Sequence, residues 1–95
     1  MKLINESYFD EKEFRYNTLE YNIGSEVLVM QYIDGQDCYA VGIIDMITIT
    51  REGIQYSIED STCQVSKKDI MPYSTENENN LLNKGYVAIK PYQIM

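Results

Sequence analysis

Two turn signals, Asp34-Gly35 and Glu52-Gly53, bracket the apolar run "CYAVGIIDMITIT". An acidic residue followed by Gly, set between β-branched and aromatic runs, is the signature of a tight hairpin, because Gly supplies the positive φ that such turns need. The run, rich in Ile and Thr, reads as a long second strand. "NIGSEVLVMQYI" before it reads as a first strand, with Gly24 and Ser25 marking the turn into it. The alternation in the long second strand shifts between Ile44 and Met46, which predicts a bend or bulge there. Gly42, inside the same strand, permits close approach of a neighbour. In "IQYSIED", Ile54, Tyr56 and Ile58 share one face, opposite Gln55, Ser57 and Glu59.

Downstream, "STCQV" predicts a short strand and "KKDIMPY" a turn or single helical turn ending at Pro72. Thr75-x-x-Glu78 reads as a capping box and Gly85 as a C-terminal cap, so a short helix is expected from Glu76 to Lys84. Leu81 and Leu82 are its apolar anchors, and "GYVAIK" is a final strand candidate. Near the start, Asp10-x-x-Glu13 suits the cap of another short helix. The expectation is a mainly β chain forming a small barrel with a short C-terminal helix and an additional strand. Its 95 residues fit a single domain. The barrel core is expected over residues 23–73, with an N-terminal extension, 1–22, and a C-terminal helix-strand extension, 74–95.

Charge narrows the function classes. The net charge is -7, and the acids concentrate before residue 74. Binding to nucleic acid draws its energy from clustered Lys and Arg that release counterions, and no such cluster is present. Direct nucleic-acid binding and anionic membrane surfaces are therefore not expected, whereas a partner with a basic surface suits the charge. No signal-type or membrane-length apolar run occurs, so a cytoplasmic location is expected. There is no His, which removes Ser-His-Asp and Cys-His catalysis and the commonest metal ligand. Cys38 and Cys63 are too few and too far apart in sequence for a zinc motif. Neither a phosphate-binding Gly motif nor a nucleophile elbow is found. The expectation is a non-enzyme without cofactor or metal.

The stretch from Ile23 to Tyr73 resembles Tudor-like and other SH3-like small barrels. The resemblance rests on "IGSEVLV" as the opening strand, and on "YIDGQDCYAVGIIDM" as an acidic-Gly hairpin followed by Tyr and a strand ending in Ile-Asp. "GIQYSIED" matches the third strand with its central Tyr, and "VSKKDIMPY" the closing turn and strand. It covers about half of the chain. In methyl-binding Tudor domains, aromatic side chains form a cage around a methylated Lys or Arg. The resemblance implies Tyr39 and Tyr56 as two of its walls, with Tyr32 or Gln31 on the first strand. Where the family places a fourth wall and an Asn, "DSTCQ" has neither. The alternative for these tyrosines is packing at the barrel rim with hydroxyls in water.

The expected binding residues are thus Tyr32, Tyr39 and Tyr56 with the nearby carboxylates Asp34, Asp37, Glu59 and Asp60. The first functional expectation is a protein-interaction module. A second is an acidic inhibitor, of the kind carried by phages or mobile elements, that blocks a host nucleic-acid-binding enzyme by mimicry. A third is an accessory subunit whose flanks order on assembly. The sequence leaves the oligomeric state open.

Overall fold

The computed structural model describes residues 21–95. The expected cap at Asp10 and Glu13 lies outside them. Six strands form: β1 (Glu26–Ile33), β2 (Gln36–Thr50), β3 (Gly53–Ile58), β4 (Gln64–Ser66), β5 (Ile70–Pro72) and β6 (Val87–Ile89). One helix, α1 (Thr75–Asn83), precedes β6, and a 3-10 turn, Lys67–Asp69, joins β4 to β5. The strand order is β4-β3-β2-β1-β5, with β6 on β2. The protein is mainly β, with the short C-terminal helix and the additional strand in place.

The hairpins sit where the turn residues put them. Ile33 faces Gln36 across Asp34-Gly35, and both turn residues have positive φ, 52° and 80°. The second turn is Arg51-Glu52, with Thr50 facing Gly53. Gly53 therefore opens β3 rather than sitting inside the turn. The register of β2 against β3 shifts between Ile44 and Met46, the position where the sequence alternation slips. β2 is shared by this bend. Up to Ile43 it pairs with β1, and from Ile44 it pairs with β3. Gly42 lies at the bend, where a Cβ would collide with Ile58 Cγ2.

Two apolar layers flank the β1-β2-β5 part of the sheet. Val27, Val29, Ala40, Ile44, Tyr56, Ile58 and Val65 build the inner one, closed by Ile70 and Ile94. Leu28, Tyr39 and Leu81 build the outer one, with Met30, Val41, Met71, Tyr73 and Tyr86 packed around them. This explains the uninterrupted apolar run of β1, whose alternate residues are buried on opposite faces.

The helix covers the outer layer. Its N-cap is Ser74, one residue before the Thr expected, and its Oγ accepts from Asn77 N at 3.0 Å. At the other end Gly85 takes φ 94°. Tyr86 N donates to Leu81 O and Gly85 N to Leu82 O, each at 3.0 Å. These paired bonds, with Tyr86 packed in the same cluster as Leu81, make a Schellman cap. Leu81 is buried, but Leu82 is 47% exposed and anchors nothing. After the cap the chain returns along β2, where β6 pairs in parallel, Tyr39 opposite Ala88. The last strand thus belongs to the same sheet.

Candidate functional site: the acidic hairpin and its neighbours

The seven expected binding residues fall into four places. Tyr39 and Tyr56 are 2% and 0% exposed, and they lie in different layers. Tyr56 packs edge-on against Tyr21, with ring centroids 5.6 Å apart and planes at 87°. Neither ring presents a face to solvent, so the two do not form walls of one cage. The reason is topological. Tyr39 is paired with Met30 on the outer face, whereas Tyr56 pairs with Ile47 and turns inward.

Nor does the Tyr39 hydroxyl reach water. It donates to Glu78 Oε2 at 2.7 Å, and the Tyr73 hydroxyl donates to Glu78 Oε1 at 3.4 Å. Burial, reinforced by the hydrogen bond to Glu78 and its negative charge, pushes the Tyr39 pKa up to about 12. Glu78 therefore serves the helix-sheet joint rather than the capping box read from Thr75-x-x-Glu78. Its partner Tyr39 comes from β2, 39 residues away, a long-range pairing without local sequence signal, and Tyr73 comes from the segment just before the helix.

Tyr32, Asp34 and Asp37 stay together at the exposed tip of the β1-β2 hairpin. Tyr32 lies directly across the ladder from Asp37 and is 73% exposed. Its hydroxyl is 4.0 Å from where a Cβ on Gly35 would stand, so the side chain leans over the turn. Gln36 braces this tip. Its Nε2 donates to Asp37 O at 2.9 Å and to Gly85 O at 3.0 Å, tying the hairpin to the loop after α1. An exposed aromatic ring is thus held beside two carboxylates on a fixed backbone.

Glu59 and Asp60 occupy the turn after β3, exposed, with Asp60 at φ 67°. Glu59 N donates to Ile43 O at 2.8 Å, which places this pair at the bend of β2. Ile43 lies six steps along the strand from Asp37, roughly 20 Å at strand spacing. The two acidic groups therefore form separate surfaces.

Lys67 and Lys68 line a third feature, an open cleft of about 750 Å³ beside β4 with Gln31, Gln55, Gln64 and Met95. Met95 N donates to Gln31 Oε1 at 3.2 Å across it. Cys38 is buried, Cys63 is half-buried, and both are free thiols. Among the described residues no group of three or more Cys, Asp or Glu side chains is placed to hold a metal ion. No described helix is long and apolar enough to cross a membrane.

In comparisons with protein families, curated proteins and solved structures, the chain matches none.

Proposed function

We propose that this chain is a non-catalytic protein-interaction module, built on a small acidic β-barrel of SH3-like type, which meets a partner with a basic surface through the β1-β2 hairpin. The observation that carries this reading is the exposed Tyr32 ring beside Asp34 and Asp37 on a braced turn. Tyr contributes large contact area with few rotatable bonds, and carboxylates at its margin steer and orient a cationic partner. A braced hairpin loses little entropy on docking.

The barrel part of the proposal is supported by the long, bent β2, which serves two strand sets, and by the short helical turn that carries the chain from β4 at one end of the order to β5 at the other. Protein contact ranks ahead of nucleic-acid mimicry because the described carboxylates are spread over the β1-β2 hairpin, the bend, the β2-β3 turn, the 3-10 turn and the helix. A mimic needs them in a continuous phosphate-like row.

The test compares capture of host proteins by the wild-type chain and by a Tyr32→Ala, Asp34→Asn, Asp37→Asn variant at low and physiological salt. The expected result is a partner retained by the wild type and lost from the variant. Equal capture by both places the contact elsewhere. A captured nucleic-acid enzyme displaced by DNA or RNA, with capture indifferent to Tyr32, restores the mimic.

A further inference from the structure

Among the described residues, the second half of β2 has an open edge. β3 occupies one side from Ile44 to Thr50. On the other side, Gly24 N donates to Ile44 O at 2.7 Å and Ile44 N donates to Ser25 O at 3.0 Å. Beyond this point no described strand pairs with Met46–Thr50 on that side.

The turn at Arg51-Glu52 decides which backbone groups face the opening. In a two-residue hairpin the flanking residues, here Thr50 and Gly53, exchange both hydrogen bonds, and the direction alternates from there. Thr50, Thr48 and Met46 therefore aim their N–H and C=O at β3. Those of Ile47 and Ile49 point outward. The segment Met46-Ile47-Thr48-Ile49-Thr50 carries no charge, Pro or Gly and is β-branched at four positions. Past the bulge at Ile44–Met46 that bounds it, it carries none of the charges or Pro residues that keep an edge from pairing with another chain. Charges stand only at its two ends, and they have opposite signs: Asp45 and Arg51, both exposed. Met46, the first residue of the segment, is 55% exposed.

We propose that this edge pairs with the same edge of a second copy of the chain, antiparallel about a two-fold axis at Thr48. In that register Thr48 faces Thr48 of the second copy, Ile47 faces Ile49, Met46 faces Thr50, and Asp45 faces Arg51. Charge complementarity selects this occupant and this register together. The outward groups of Ile47 and Ile49 meet their counterparts as two hydrogen-bonded pairs. A slip of one residue sets outward groups against inward ones, and a slip of two removes Asp45 from Arg51. The closed interface is isologous and joins two β4-β3-β2 sheets into one. It lies at the opposite end of β2 from the Tyr32 hairpin, so it is independent of the proposed partner site.

Sedimentation equilibrium of the full chain at physiological salt, over low to high micromolar concentration, tests the dimer. The expected result is a reversible monomer-dimer equilibrium. Asp45→Arg and Arg51→Asp each weaken it roughly fivefold or more, because each sets like charges opposite one another twice per dimer. The double variant, with the charges exchanged, returns to within about threefold of wild type on the same argument. Thr48→Lys, which sets two ammonium groups on the axis, gives monomer. Circular dichroism melts check that each variant is folded, and Tyr32→Ala leaves the dimer unchanged. A chain that stays monomeric throughout, a dimer indifferent to Thr48→Lys, or single reversals not rescued in the double variant overturns the proposal.

Discussion

Tyr39 on β2 donates a 2.7 Å hydrogen bond to Glu78 on α1, and this bond joins the helix to the sheet. It is a part-buried polar contact at the margin of the outer layer, where Tyr39 packs with Leu28 and Leu81. A carboxylate in such surroundings needs its donors, and it takes them from Tyr39 and Tyr73. Glu78→Leu and Tyr39→Phe each break this bond from one side. Tyr39→Phe leaves Glu78 with only the longer Tyr73 bond and costs about 1–3 kcal/mol by denaturant melt. Glu78→Leu removes the charge but strands the Tyr39 hydroxyl, with a loss of the same order.

The same pair sets an alkaline limit. The Tyr39 pKa is raised from an ordinary value of 10.0 to about 12 in the folded chain. The unfolded chain therefore holds fewer protons than the folded one between these values. Stability from this group is complete below pH 10 and falls as pH rises toward 12. Melts of wild type and Tyr39→Phe between pH 9 and 12 check this. The wild type is expected to lose its advantage across that window, and parallel curves contradict the assignment.

Gly42→Ala tests the bend of β2. The added Cβ meets Ile58 Cγ2, a side chain buried in the inner layer, and one of the two must move. Overpacking of this kind costs about 1–3 kcal/mol. Pairing it with Ile58→Ala removes the collision, so the two losses are expected to be non-additive in a double-mutant cycle.

Helix capping gives a third check. Gly85→Ala forces a Cβ into φ 94° and loosens the Schellman cap, for about 1 kcal/mol. Ser74→Ala removes the acceptor for Asn77 N, again for about 1 kcal/mol. Thr75→Ala, at the position read from sequence as the cap, is expected to cost less than Ser74→Ala, because the cap bond comes from Ser74.

Tyr32→Ala is expected to change stability by less than about 0.5 kcal/mol, since the ring is exposed and packs against no cluster. Its effect falls on partner binding alone. A melt that shifts by several degrees shows that the ring is part of the fold instead.

Local chemistry made much of the fold legible. Asp34-Gly35 announces its hairpin because few other residue pairs accept two positive φ values. The slip in alternation at Ile44 to Met46 is the bulge itself, written as one residue too many. What stayed hidden depends on distant partners. Ser74 and Thr75 are both good caps, and which one serves is settled by packing rather than propensity. Glu78 resembles a capping residue until Tyr39 arrives from the sheet. Tyr39 and Tyr56 are expected from sequence to face a ligand, yet the covering helix buries Tyr39 and the pairing register turns Tyr56 into the inner layer. Ile94 and Tyr21, single apolar residues in irregular segments, carry no periodicity to mark them as parts of the inner layer. The hairpin trio was readable because Tyr32, Asp34 and Asp37 are near neighbours in sequence; the distance from Asp37 to Glu59 was not.

Site-specific photo-crosslinking in lysate of the native host tests the central claim most directly. A photoreactive residue replaces Tyr32 in one sample and Leu82, also exposed but on α1, in another. The account predicts a dominant adduct with a different protein from position 32, suppressed by Asp34→Asn with Asp37→Asn, and no such adduct from position 82. An absence of adduct from position 32, or the same adducts from both positions, contradicts a partner site at the β1-β2 hairpin.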